Sequence, residues 1–183
     1  MNSFNTDLDG VKVIENKVFG DERGWFTESY NHNMYKENGI YTKFIQDNHS
    51  FSKYKGTLRG LHLQLYPKAQ TKLVRCTRGS IFDVAIDLRP ESKTFKQSYG
   101  IILSETNQKQ LLIPKGFAHG FITLEDKTEV QYKVDEHYSK EHDRSIAWND
   151  RILGIDWPTE VNVISDKDRV APTLDTFLER EYK

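Results

Sequence analysis

The chain has 183 residues, with 26 Lys and Arg against 27 Asp and Glu and a formal net charge of -1. That balance provides no broad positive field for nucleic acid, so an anionic ligand must be met by a local cluster of cations. The single cysteine, Cys76, excludes an intrachain disulfide framework and a cysteine-based metal knuckle, and no apolar run approaches the roughly 20 residues of a membrane span.

The length fits one domain over residues 1–183. The opening residues lack the basic and apolar regions of a signal peptide, and one cysteine suits a reducing cytoplasm. The pattern predicts a first strand over residues 11–18, then a polar turn at Asp21-Glu22-Arg23-Gly24 leading into 25–30. A short helix is predicted over 33–38, stopped by Gly39. In the strand predicted over 43–52, Gln46, Asn48, Ser50 and Ser52 share one face. A solvated outer face more often carries Lys and Glu, so this one is expected to line a cleft.

The stretch from Gly56 to Arg75 splits at the strand period of two. Leu61, Leu63 and Leu65 form an apolar side, while Gly60, His62 and Gln64 present an imidazole and an amide to a second, polar space. Arg59 precedes them and Lys72 follows the turn-forming Tyr-Pro-Lys. A base between two cations suits a site that removes a proton and binds an anion. Strands follow over 72–77 and, past an Arg78-Gly79 turn, over 80–88, where Phe82, Val84, Ile86 and Leu88 align. Further strands are predicted over 99–103, 110–113, 120–124 and 129–134, with a Pro114-Lys115-Gly116 turn between the second and third. Strands at this spacing without intervening helices argue for an antiparallel sandwich or barrel. From Tyr138 the chain reads as irregular until a short helix over 175–180, with Asp175 as its cap.

The spacing Pro114-x-Gly116-x-x-His119 resembles the second motif of the cupin superfamily, with His62 at the first-motif histidine. A metal-binding cupin supplies His-x-His and then a Glu; here Gln64 replaces the second His, and no Glu lies between Gln64 and Arg75. Two histidines and amides make a poor site for a divalent ion, so no metal or other cofactor is expected.

An ordered set of motifs narrows the resemblance. It comprises Phe-Gly-Asp-Glu-Arg-Gly-Trp-Phe-x-Glu (19–28), Gln-Asp-Asn-x-Ser (46–50), Leu-Arg-Gly-Leu-His-x-Gln (58–64) and Gln-x-Lys-Leu-Val (70–74). Phe-Asp-Val-Ala-x-Asp-Leu-Arg (82–89), Pro-x-Gly-Phe-Ala-His-Gly-Phe (114–121), Trp-Asn-Asp (148–150) and Ser-Asp-Lys-Asp (165–168) complete it. Together these strongly resemble the dTDP-4-dehydrorhamnose 3,5-epimerase family over nearly the whole chain.

The resemblance implies an all-β, cupin-type jelly roll (double-stranded β-helix) with short peripheral helices, a homodimer and a metal-free reaction. The implied substrate is a dTDP-linked 4-keto-6-deoxyhexose, whose C3 and C5 protons flank a ketone and are acidic. His62 would be the base, Asp168 its orienting partner, Tyr132 the re-protonating acid and Lys72 the stabiliser of the enolate oxygen. Tyr138 competes with Tyr132 for the acid's part. Arg23, Arg59 and Lys167 match pyrophosphate-binding positions, with His119 beside them, and Glu28, Gln46, Asn48 and Asp143 match contacts to nucleotide or sugar. The N-terminal segment would add to a neighbour's sheet, carrying Arg23 and Glu28 into the other subunit's pocket. Relatives that invert only C3 or only C5, or that use another nucleotide, share the base and the Lys. A non-catalytic sugar-binding cupin would be expected to lose His62, Tyr132 or Asp168, all present here.

Overall fold

The computed structural model describes residues 1–182; Lys183, the last position of the expected domain, lies outside them. The chain begins with β1 (Asn2–Asn5) and β2 (Lys12–Glu15), then a hairpin of β3 (Val18–Asp21) and β4 (Gly24–Thr27). Helix α1 (His32–Glu37) precedes the longer strands β5 (Gln46–Ser52), β6 (Thr57–Gln64), β7 (Lys72–Arg78) and β8 (Ser80–Asp87). β9 (Ser98–Ser104), β10 (Gln110–Ile113), β11 (Phe117–Thr123) and β12 (Thr128–Val134) follow. The tail adds β13 (Asp143–Ser145), β14 (Val163–Ile164), α2 (Asp166–Arg169) and α3 (Leu174–Glu181).

Two sheets face each other. The first runs β1-β2-β10-β7-β12-β5 and the second β13-β6-β11-β8-β9, with β14 paired to β6. Neighbours within the sheets are antiparallel except β14, which runs parallel to β6. Strands distant in sequence lie side by side, which makes this an all-β jelly roll of the cupin type. Between the sheets, Val74, Leu111 and Val130 of the first pack with Ile81, Ala85 and Phe121 of the second. Burying each of these side chains larger than alanine contributes about 1.5–3 kcal/mol relative to leaving it exposed.

Both sheets are also covered outside. Tyr35 and Ile40, in and after α1, lie on Ile14, Leu73 and Leu112. Ile146, Leu153, Leu174 and Phe177 of the tail lie on Leu61, Leu63, Val84 and Ile86. The Leu61–Leu63 side of β6 is therefore apolar as expected, and what it meets is the tail rather than the opposite sheet. The Val84–Ile86 face of β8 does the same, leaving Ile81, Asp83 and Ala85 to look inward.

Several boundaries differ from the sequence reading. The strand predicted over 11–18 breaks after Glu15, and Val18 opens the β3–β4 hairpin instead. Asn31 caps α1, its side chain accepting from the amides of Asn33 and Met34, so the helix starts before the predicted position. Gly39 follows with φ of +77°, a left-handed stop that glycine adopts without strain. The cap of α3 is Thr173, whose hydroxyl accepts from the Thr176 amide at 3.3 Å, not Asp175. The tail after Tyr138, expected to be irregular, contains β13, β14 and α2.

Candidate active site

Beyond the apolar core, the space between the sheets opens into a cavity of about 480 Å³. The second sheet contributes Arg59 and His62 from β6 and His119 from β11. The first contributes Ser50 from β5, Lys72 from β7 and Tyr132 from β12. Ser165, Lys167 and Asp168, at and within α2, close one side. A second chamber of about 350 Å³ shares His62, Lys72, Tyr132 and Lys167, and adds Gln46, Asn48, Tyr138 and Asp143. Of the polar face read from β5, Gln46, Asn48 and Ser50 line this space, while Ser52 lies outside both linings and binds Arg59.

His62 Nε2 lies 2.5 Å from Asp168 Oδ1. The carboxylate is buried whereas the imidazole is one-third exposed. Asp168 Oδ2 also accepts from the Gly60 amide at 3.3 Å, and the Asp168 amide donates to the Ser165 hydroxyl at 3.1 Å. Burial raises the Asp168 carboxyl, but hydrogen bonding and charge from His62, helped by Gly60 and Ser165, prevail and bring it below the ordinary value. Glycine is required at position 60: a Cβ there would stand 2.5 Å from the Gly120 Cα, and φ is +133°. That approach lets β6 carry His62 opposite His119 of β11. In the tautomer that donates Nε2–H to Asp168, Nδ1 is the nitrogen left to take a proton.

Lys72 is buried, with Nζ 3.4 Å from the His62 carbonyl oxygen. Burial lowers its ammonium to about 8, against the opposing pull of Asp83 and Asp143. Asp83 is fully buried and accepts from His119 Nε2 at 2.8 Å. Desolvation pushes His119 down, and Asp83 offsets only part of this. His119 thus lines the cavity while tied to a carboxylate behind it. Tyr132 comes from the sheet opposite His62, and its burial raises the phenol, so it is a neutral proton donor at neutral pH.

Cations mark the rim. Arg59 is fixed by Ser52 Oγ at 3.2 Å and the Phe51 carbonyl at 3.0 Å. Asp143 Oδ2 accepts from Lys167 Nζ at 2.5 Å and from the Tyr138 hydroxyl at 3.3 Å. Gln46 Nε2 donates to Asn48 Oδ1 at 2.9 Å. Arg23 and Glu28 stand apart from both chambers. Arg23 sits in the exposed β3–β4 turn, ion-paired with Asp21, and Glu28 accepts from Asn31 Nδ2 at 3.5 Å.

Two side chains without a role in the sequence reading, Asp83 and Ser165, enter the site, and Ser50 of the expected cleft-lining face joins them. Asp83 binds His119; a carboxylate inside the apolar run of β8 was its visible signal. Ser50 lines the cavity with a buried hydroxyl that finds no partner among the described residues. Ser165 caps α2 and thereby aims Asp168. Among the described residues, no group of three or more His, Cys, Asp or Glu side chains is placed to hold a metal ion. No helix among them is long and apolar enough to cross a membrane.

A jelly-roll cavity that gathers an imidazole held by a carboxylate, a phenol from the opposite sheet and a buried ammonium suits an isomerase that works by moving protons. The family model for dTDP-4-dehydrorhamnose 3,5-epimerase matches residues 5–176. The chain belongs to that family. It is 51% identical over 169 residues to the dTDP-4-dehydrorhamnose 3,5-epimerase of Shigella flexneri, covering 92% of this chain and 93% of the relative. The structure of the Bacillus anthracis enzyme of that name, with TDP and PPi bound, is 52% identical with a TM-score of 0.92, covering 94% of this chain and 99% of the other. The dTDP-6-deoxy-D-glucose-3,5-epimerase of Legionella pneumophila, solved with dTDP-4-keto-L-rhamnose, is 47% identical with a TM-score of 0.91. That match covers 95% of this chain and 93% of the other.

Proposed function

We propose that the chain inverts C3 and C5 of dTDP-4-dehydro-6-deoxy-D-glucose, giving dTDP-4-dehydro-L-rhamnose. The observation that carries this is the His62–Asp168 pair at 2.5 Å on one side of a cavity whose other side holds Tyr132. Nδ1 of His62 takes the proton from the carbon next to the ketone, and the electron pair moves onto the C4 oxygen. Asp168 fixes the tautomer and stabilises the imidazolium. The Lys72 ammonium faces the charge that develops on that oxygen, an interaction stronger in the transition state than in the ground state. Tyr132 delivers a proton to the opposite face and the ketone re-forms. His62 then gives its proton to solvent and Tyr132 regains one from it, and the cycle repeats at the second carbon.

Arg59 and Lys167 suit the pyrophosphate because both are cationic and stand at the rim, with His119 in the wall of the same cavity. Gln46, Asn48, Tyr138 and Asp143 in the adjoining chamber suit the nucleotide or sugar. Arg23 and Glu28 reach a site only across a homodimer. The exposed Phe19, Trp25 and Phe26 of the hairpin that carries Arg23 support such a contact. The cytoplasm, where nucleotide sugars are made, is the proposed location.

The deciding experiment is NMR of dTDP-4-keto-6-deoxyglucose with the protein in D2O. Deuterium entering both C3 and C5, with the L-rhamno product, is expected. Deuterium at one carbon alone would replace the proposal with single-site epimerisation, and none at either would overturn it.

A further inference from the structure

Gln64 follows His62 by two positions on the same face of β6, yet its buried amide makes its contacts with two loops. Nε2 donates to the carbonyl oxygens of Lys68 at 2.6 Å and His137 at 3.2 Å, and Oε1 accepts from the Ser139 amide at 2.7 Å. His137 and Ser139 flank Tyr138, so one side chain grips the backbone on either side of that residue. Gln70 and Asp135 tie the same loops together. Gln70 Nε2 donates to the Glu136 carbonyl, and Asp135 accepts from the Thr71 amide, each at 2.7 Å.

Tyr138 is itself exposed, and its side chain is anchored to the fold through a 3.3 Å hydrogen bond to Asp143. An exposed ring on a loop is ordinarily mobile. Here its backbone is fastened to the strand that carries His62, and both side chains line the same chamber. We infer that Gln64 is a positioning residue: by holding His137 and Ser139 it sets Tyr138 over the open side of the chamber, in fixed register with His62, to cover the bound nucleotide sugar. The inference rests on the epimerase reading above. It gives Gln64, at the place where metal-binding cupins carry a second histidine, a mechanical role in place of a ligating one.

The test is a double-mutant cycle with Gln64→Met, which keeps the length but removes all three hydrogen bonds, and Tyr138→Ala. Each single variant is expected to raise KM for the nucleotide sugar about tenfold, the scale of leaving one side chain unordered, with kcat little changed. The double variant is expected to be no worse than either single, because both remove the same cover. Amide exchange across residues 135–142 is expected to quicken in Gln64→Met while β6 and β11 keep their protection. Should that variant fail to fold, Gln64→Glu keeps the acceptor for Ser139 and loses both donations, with the same expectations. A KM in Tyr138→Ala equal to that of the parent overturns the inference, as do multiplying KM effects or unchanged loop exchange. A fall in kcat without a KM change would mark Gln64 as merely structural. Absence of deuterium incorporation by the parent protein would sink the epimerase reading alone, since loop exchange is read without substrate.

Discussion

The Lys72 ammonium lies 3.4 Å from the carbonyl oxygen of His62, so the cation rests against the backbone of the residue that carries the imidazole. Lys72 reaches this point from β7 in the first sheet and His62 from β6 in the second. The polar lumen exists because both sheets turn such groups inward at one end and aliphatic groups at the other.

Burial of that ammonium costs stability. Its folded pKa of about 8 lies below the ordinary 10.5, so between those values the unfolded chain holds the extra proton and stability rises with pH. Below about pH 8 the penalty is fully present. Lys72→Met is therefore expected to raise Tm at pH 7 and to flatten the rise of Tm above pH 8. Its kcat should fall by about 10²- to 10³-fold, and parent kcat should decline as pH passes 8. A destabilised Lys72→Met protein would show that the ammonium is compensated in the fold.

Asp168→Asn tests the orienting carboxylate. An amide in its place presents the wrong group to Nε2 or leaves it unpaired, so kcat should drop by about 10²- to 10⁴-fold with the fold retained. The lowered pKa of Asp168 adds stability that is present above its unfolded value and lost as pH falls through the lower folded value. The Tm gap between parent and variant should accordingly close in acid. A gap that persists unchanged there would assign the stabilisation to something other than the carboxylate's charge.

Tyr132→Phe separates the acid from the base. Enolate formation by His62 should continue, with the proton returned to its original face, so deuterium enters substrate without inversion. Joint loss of exchange and inversion would mean that the phenol is needed for binding or for the fold.

Arg23 gives an assembly test. An inactive His62→Asn protein mixed with an inactive Arg23→Ala protein should recover activity, because one site of each mixed dimer has both defects and the other neither. With random subunit exchange, half the dimers are mixed and roughly a quarter of the parent activity returns. No recovery after verified exchange would place Arg23 in the site of its own chain.

Local patterns carried the strand series, the two faces of β6 and the polar face of β5, because each is a period-two signal within a few residues. The tail was not legible in this way. β13, β14 and α2 are two to four residues long. β13 and β14 form because β6 offers an edge to pair with, and α2 because Ser165 caps it and Asp168 is held by His62, not because of their own propensity. The cap of α3 was misread because Thr173 and Asp175 are both good capping residues, and only the fold decides between them. Motif resemblance named Asp168 without showing that it meets His62, which periodicity cannot reveal across so long a separation. Arg23 and Glu28 were named the same way, and their distance from the chain's own chambers follows from their hairpin standing apart from both main sheets.

The coverage of β6 by the tail also sets an order of events at the ribosome. His62 is made 106 positions before Asp168, and Leu174 and Phe177, which back its strand, come later still. At about 5–20 residues per second of synthesis, the histidine waits roughly 5–20 s for its carboxylate. A nascent chain thus carries His62 unpaired and its strand uncovered until residues 168–177 have been made. Messages cut short before that point would yield a barrel with an open back and no working dyad.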